Sequence, residues 1–489
     1  MLSRRKFLLG SAAGLGGLAM APTLARAEAF AAPDRWEALR RVTADSLLRP
    51  GDTGYERAAL PNNLRFADVR PAGVAYCQSA EMVSDVLNWC LDYDVPFVIR
   101  GGGHSYAGYS TGRDLVIDMS RMNHITANAE NGTVTVEAGA LNGEVYKALQ
   151  AAGRVITHGR CPSVGVAGFL LGGGIGFNMR RFGMGCDAVT ESEIVTADGA
   201  VRQLSDTSES DLFWAIRGGA GGNFGISTRF TLKTHPVDEV VTVFRLVWRN
   251  RTLDVAEKLF EIADAAPVAL GSRIALGGVN PTTRAGGRQV PLTLLGQYAG
   301  GREELEALLA PVLATAEPDF TDIREVDYWT GQHFLAEEGE PAFFRERSAF
   351  HSMVPNRDFL GAAMDAMLDW PGTGASANLV FFQTGGAVNA RASDETAFVH
   401  RDSRFLSTAN LSWSEDDARR PDVVRRATEW QDRLYGLVNA AGAGGAFQNF
   451  PDSSLVDWRA RYYGGNLPRL EAIKAAVDPT NVFRFGQSI

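Results

Sequence analysis

The sequence is poor in the residues that build metal centres and disulfide frameworks. Its 489 residues include only four cysteines, at 77, 90, 161 and 186, and seven histidines. No two cysteines stand in Cys-x-x-Cys spacing and no histidines pair at i, i+4 in a helical pattern. A zinc ribbon, a thioredoxin-like dithiol and a catalytic metal are therefore not expected. Cys77, Cys90 and Cys186 read as small buried apolar residues, although an exported protein could oxidise one pair. Positive charge is also scarce: Lys and Arg number 48 against 57 Asp and Glu, for a net charge of −9. An acidic protein repels phosphate backbones and anionic lipid, which argues against nucleic acid or membrane as a partner.

Long apolar runs are missing too, apart from the first 27 residues. There Ser3-Arg-Arg-Lys-Phe-Leu8 leads into a Gly/Ala-softened apolar stretch and ends at Ala25-Arg-Ala27, a small-x-small cleavage pattern. The paired arginines resemble a twin-arginine signal, which implies a periplasmic or secreted protein; the competing reading is an uncleaved anchor helix. Removing the segment, which holds Arg4, Arg5, Lys6 and Arg26 and no acid, takes the net charge from −9 to −13. With 45% hydrophobic and 21% charged residues overall, the full sequence is that of an ordinary globular chain of two to three domains.

What the sequence has in abundance is glycine, 53 residues in all, much of it clustered. Val95 to Ile99 reads as a buried strand that breaks into Gly101-Gly-Gly103 and presents His104. Such a turn brings backbone N–H groups against a ligand. The spacing is not Gly-x-Gly-x-x-Gly, and no helical period follows, so a Rossmann dinucleotide site is a poor fit. A second cluster, His158-Gly-Arg-Cys161 through Gly176, reads as backbone wrapped around a flat ligand rather than as helix or strand. A third is Phe213-Trp-Ala-Ile-Arg-Gly-Gly-Ala-Gly-Gly-Asn-Phe-Gly-Ile226.

The run Arg100-Gly-Gly-Gly-His104-Ser105 resembles the flavin-attachment loop of the berberine-bridge-type oxidases, in the vanillyl-alcohol-oxidase superfamily with its PCMH-type FAD-binding domain. The resemblance extends through all three glycine clusters and through Phe447-Gln-Asn-Phe-Pro-Asp452 and Arg461-Tyr-Tyr-Gly-Gly-Asn466 near the end of the chain. It implies FAD as cofactor, bonded by His104 at the 8α-methyl. It further implies a second bond from Cys161 to C6, the alternative being a singly attached flavin with Cys161 as a packed residue. The positions it brings to the cofactor are Arg100, Gly101, Gly102, Gly103, His104, Ser105, Gly139, Cys161, Val164, Gly165, Gly168, Gly172, Gly173, Gly176, Ile226, Asn449 and Asn466. Arg160 stands where the family usually has a small hydroxyl residue. A thiol beside Arg160 and near His158 is expected to have a lowered pKa.

The fold class is α+β, with four segments: a targeting segment 1–27, an FAD-binding domain 28–236, a substrate domain 237–440, and a C-terminal segment 441–489 returning to the first domain. Helical periods are read at 36–48, 79–91 and 143–150, and an Asp198-Gly199 hairpin joins two strands. In the substrate domain, strands at 241–248, 273–278, 290–298, 377–383 and 405–413 alternate with helices at 254–265, from Glu303, 359–368 and 423–438. This predicts an antiparallel sheet backed by helices.

One departure bears on chemistry. Many carbohydrate- and alcohol-oxidising members use a tyrosine of a Tyr-x-Asn-Tyr segment as base, and this chain has Phe447-Gln-Asn-Phe450. Tyr106 and Tyr463 are the candidate replacements, each needing a depressed pKa. The resemblance implies an exported oxidoreductase that moves a hydride from a small alcohol, sugar or amine-like substrate to FAD and passes the electrons to dioxygen, giving hydrogen peroxide. Two readings stay beside it: a flavin-binding protein with little turnover, and a dehydrogenase with another acceptor. Oligomeric state is left open.

Overall fold

The computed structural model describes residues 33–279, 281, 289–442 and 444–489; the targeting segment read at 1–27 lies outside the described residues. The first part of the chain builds a four-stranded sheet from β1 (Leu47–Leu48), β2 (Gly73–Tyr76), β3 (Phe97–Arg100) and β4 (Leu115–Asp118), in the order β1-β2-β4-β3. β2 and β3 both run parallel to β4, so a helical crossover must join them. That crossover is Ala80–Asp92: the Ser79 hydroxyl accepts the Met82 N–H at 3.2 Å, and Val83, Val86, Leu87 and Cys90 bury one face. β3 then empties into the first glycine loop.

An antiparallel sheet follows, from β5 (Ile125–Asn128), β6 (Thr133–Glu137), β8 (Val189–Val195), β9 (Val201–Ser205) and β10 (Ile226–Lys233), in the order β5-β6-β10-β8-β9. A small ribbon pairs β7 (Arg154–Val155) with β11 (His235–Pro236). Gly199, at φ +75°, makes the turn of the β8–β9 hairpin.

The antiparallel sheet expected of the substrate domain has seven strands: β12 (Val241–Trp248), β13 (Leu270–Gly277), β14 (Leu292–Tyr298), β15 (Phe320–Val326), β16 (Phe343–His351), β17 (Ala377–Gln383) and β18 (Phe405–Trp413), in the order β15-β12-β14-β13-β17-β18-β16. Helices Thr252–Ala265, Arg302–Thr315, Arg357–Leu368 and Pro421–Ala441 back it. Residues alternate in direction along a strand. Accordingly Leu379, Phe381, Phe405 and Ala409 pack with Phe260 and Trp430 on the helical side. Val380, Phe382, Leu406 and Phe350 turn the other way, onto Ile175, Phe398, Phe447 and Phe450. The sheet is thus a roof over the glycine loops.

Two contacts lock the halves together. Arg401 makes a bidentate pair with Asp187 at 2.8 and 2.7 Å, both side chains 2% exposed. Near the end of the chain, buried Lys474 donates to the Asn223 and Phe483 carbonyls and to Asp478 at 2.6–2.7 Å, returning helix Leu467–Val477 to the third glycine segment.

Three expectations are corrected. The helix read over 36–48 is Pro33–Val42 and stops where Ala44 and Asp45 take left-handed backbone angles, freeing Leu47–Leu48 to pair with β2. The second glycine cluster contains a buried helix, Val166–Leu171, because its glycines bracket Val166, Ala167, Phe169, Leu170 and Leu171, which pack as one apolar turn and a half. β15 and β16 were not anticipated, since charged residues such as Arg345, Glu346 and Arg347 interrupt their apolar pattern. All four cysteines are unpaired.

Candidate cofactor and active site

The first and second glycine loops cross backbone to backbone. A Cβ built on Gly102 would lie 2.2 Å from the Gly165 nitrogen, and one on Gly165 would lie 2.2 Å from the Gly102 nitrogen. Neither loop can move aside without dragging a strand or a helix with it. We therefore expect Gly165→Ala to cost about 1–3 kcal/mol through overpacking and to lower the flavin bound per protein, read from the visible spectrum of purified protein. Unchanged occupancy and melting temperature would show that the crossing tolerates a methyl group.

The crossing opens onto a cavity of about 300 Å³. Gly101, Gly102, Gly103, His104, Ser105 and Tyr106 line it from the first loop, and Cys161, Val164, Gly165 and Gly168 from the second. Gly221 and Gly222 come from the third, Phe447, Asn449 and Phe450 from the C-terminal segment, with Arg484 and Gln487 beyond. A Cβ on Gly168 would meet nothing within 4 Å, so this glycine leaves open the space a flat ring needs.

His104 is mostly buried, and burial pulls its imidazole down to about 4, against a smaller upward pull from the Ser163 carbonyl it bonds. Near neutrality it is uncharged, with one ring nitrogen fixed by Ser163 and the other available to a ligand. Cys161 does not behave as its neighbours suggested. Burial pushes its thiol up to about 11, and although Arg160 pulls it down, Glu337 pushes it up again. The reason is geometric: Glu337 takes ion pairs from both Arg160 and Arg273, and lies 3.8 Å from the Cys161 sulfur. The guanidinium expected to favour a thiolate is thereby spent on a carboxylate. Arg160 also lies 4.6 Å over the Phe382 ring.

Both tyrosines nominated as bases fail the requirement set for them. Burial raises the Tyr106 phenol well above its ordinary value, with Glu346 and Cys161 adding to the rise. Burial likewise raises Tyr463, whose hydroxyl is 3.4 Å from the Gly219 carbonyl. Tyr106 stacks on Phe450 at 5.0 Å and 5° and meets Phe344 edge-on at 5.0 Å, a wall-like setting.

Several of the positions brought to the cofactor lie behind the lining rather than in it. The Arg100 side chain donates to the Ser110 and Ala58 carbonyls and faces Asp118 at 3.9 Å, bracing the first loop. Gly139 and Gly176 permit close backbone approach, a Cβ there falling 1.8 Å from the Met119 oxygen and 2.0 Å from the His158 oxygen. Gly172 makes room for Asn449, whose amide donates to the Phe169 carbonyl and holds the short helix. Gly173, at φ +130°, abuts Phe447; Ile226 is buried at the start of β10; Asn466 donates to the Ser393, Thr396 and Ala397 carbonyls. Behind the lining, and not anticipated from the sequence, stand Glu337 against Cys161 and Arg160, Arg273 against Glu337, and Glu346 on the Tyr106 side. They come from the roof and the segment beside it, where no glycine cluster marks the sequence.

The lining fits FAD. It combines a glycine-walled slot, an uncharged imidazole, a cysteine sulfur, aromatic side chains, backbone from a third glycine loop, and Arg484. Comparison with known proteins agrees. The family model described as an FAD binding domain matches residues 71–205, and that described as berberine and berberine like matches residues 446–489. An FAD-linked oxidoreductase of Bacillus subtilis (strain 168), YgaK, which is uncharacterized, is 32% identical over 449 residues, covering 90% of this chain and 95% of its own. The structure of Physcomitrella patens BBE-like 1 superposes with a TM-score of 0.81 at 30% identity, covering 92% of this chain and 98% of that one. A glucooligosaccharide oxidase from Acremonium strictum, described with a 6-S-cysteinyl, 8α-N1-histidyl FAD, gives 0.81 at 26% identity with the same coverage.

Proposed function

Because the chain belongs to the berberine-bridge-like family of FAD-linked oxidoreductases, we propose that it is an exported oxidase of a small alcohol, sugar or amine-like substrate, with FAD held covalently through His104 and Cys161 and dioxygen as electron acceptor. The observation that carries this is the meeting of two unlike nucleophiles, His104 and Cys161, in one cavity, delivered by two glycine loops that cross at Gly102 and Gly165. The relative described with a cysteinyl, histidyl FAD supports the double attachment. Export rests on the Arg4-Arg5 segment alone.

Bound FAD would supply a two-electron oxidant that dioxygen restores, releasing hydrogen peroxide. The chain's own residues do the rest. Ser163 fixes the His104 ring so that its free nitrogen points in one direction. Phe447, Phe450 and Tyr106 exclude water and offer flat surfaces to a substrate. Glu337, clasped by Arg160 and Arg273, holds the Cys161 thiol from behind the lining.

A second reading, a flavin carrier with little turnover, is favoured by Phe447 and Phe450 standing where the family carries tyrosines. Intact mass and a visible spectrum of the purified protein, followed by peroxide assay against alcohols, sugars and cyclic amines, separate the two. The proposal expects one covalent FAD per chain and peroxide from at least one compound. Attached flavin with no flavin reduction by any compound favours the carrier. Flavin reduction with sluggish reoxidation in air marks a dehydrogenase using another acceptor.

A further inference from the structure

The roof strand β16 presents alternate residues to the cavity side. Phe344 meets Tyr106 edge-on at 5.0 Å, the Ser348 hydroxyl accepts the Phe447 N–H at 2.9 Å, and Phe350 lies 5.9 Å from the Phe447 ring. Glu346 sits between Phe344 and Ser348 on that same side, in unbroken register with β18. Its cross-strand partner Asn410 donates an amide N–H to Glu346 Oε2 at 2.8 Å, and the Thr408 hydroxyl also bonds it. Arg345 and Arg347, its neighbours in sequence, point to the opposite face and are spent on Gln431, Asp432 and Asp452. Among the described residues, no arginine or lysine forms an ion pair with Glu346. The charged and titratable groups facing it are Tyr106, Glu337 and Arg160, the last already paired with Glu337.

Oxidising an alcohol or amine requires a group that accepts the O–H or N–H proton. Phe447 and Phe450 cannot, His104 is reserved for attachment, and the phenols of Tyr106 and Tyr463 hold their own protons far above neutrality. We infer that Glu346 is the proton acceptor for the substrate, held in place by Asn410 and Thr408 and reached over the aromatic floor of Tyr106 and Phe450. The inference rests on the oxidoreductase reading above. In the step, the substrate O–H (or N–H) bond breaks and its electrons form the C=O (or C=N) bond while the proton passes to the carboxylate. The C–H hydrogen leaves with its electron pair to FAD, which dioxygen reoxidises, and Glu346 returns its proton to water. Burial, with Glu337 adding, raises Glu346 above the ordinary carboxylate range, against smaller downward pulls from Asn410, Thr408 and Arg160. The base form is therefore lost as pH falls through that raised value, so activity should carry an acidic limb above the usual carboxylate pKa.

The test compares wild-type holoprotein with Glu346→Gln and Glu346→Asp, using cinnamyl alcohol, D-glucose and pyrrolidine as probes. Glu346→Gln should lower kcat by about 100-fold or more and abolish the acidic limb, with KM shifted by no more than about threefold. Flavin content should be unchanged. Binding of cinnamaldehyde, read from the flavin spectrum, should be unchanged as well, showing an intact site. Glu346→Asp should recover part of the rate and the limb. A Glu346→Gln variant within about threefold of wild-type kcat, or one that keeps the limb, overturns the assignment. If flavin-loaded wild type oxidises none of the three probes, the oxidoreductase reading fails and the assignment falls with it. That failure appears in the parent protein, whereas failure of the assignment alone appears only in the variants.

Discussion

Holoprotein carrying both His104→Ala and Cys161→Ala will release all of its flavin into the supernatant on acid precipitation, while the parent protein gives a yellow pellet. Each single variant should keep a coloured pellet through the remaining bond. The two attachments should differ in speed. His104 is uncharged at neutral pH and its ring is preset by Ser163, whereas a thiol near pKa 11 is thiolate in only ~1 in 10,000 molecules at pH 7. Mass spectra taken over time after flavin addition should therefore show His104→Ala gaining its bond much more slowly than Cys161→Ala. A pellet that stays yellow in the double variant would show that neither residue is the attachment point. Equal rates in the single variants would leave the bonds in place but remove the thiol argument.

Arg401→Ala will be the most destabilising of the substitutions considered. Its guanidinium and the Asp187 carboxylate are both 2% exposed and doubly bonded, and Arg401 also donates to Thr396. Removing one member leaves a buried charge without its partner, a loss of roughly 3–5 kcal/mol. Arg391, 3.6 Å from Asp187, is one-third exposed and compensates little. Adding Asp187→Asn to Arg401→Ala should restore part of the loss, because the uncompensated charge is gone while the Met184 N–H keeps an acceptor. Thermal melts of the three proteins test this. A melting temperature for Arg401→Ala equal to wild type would mean that the pair holds nothing together.

The glycine loops were legible in the sequence because a backbone that must pass within contact distance of another backbone tolerates no side chain. Gly102 and Gly165 advertise their crossing in the one-letter code. The roof was legible where strands carry no charged residue, as at 377–383 and 405–413. It was not legible at β16, whose two faces meet different worlds: arginines reach out to Asp432 and Asp452 on one side while Glu346 turns to Asn410 and the Tyr106 side on the other. The Cys161 environment is not legible in the sequence, because Arg160 is its neighbour along the chain but Glu337 is 176 residues away. A pKa depends on which charge arrives through the fold, not on which one is next along the chain. The same holds for Glu346, which lies beside no motif in the sequence.

The cavity also fixes an order of events during biosynthesis. Most of its wall comes from residues 97–227, and the rest from 447–451, 462–463 and 483–487, which leave the ribosome after the whole roof has been made. A nascent chain that has emerged only as far as β11 offers FAD an open trough with no far side. A complete cofactor site therefore exists only once the last residues of the chain have folded back and closed the trough.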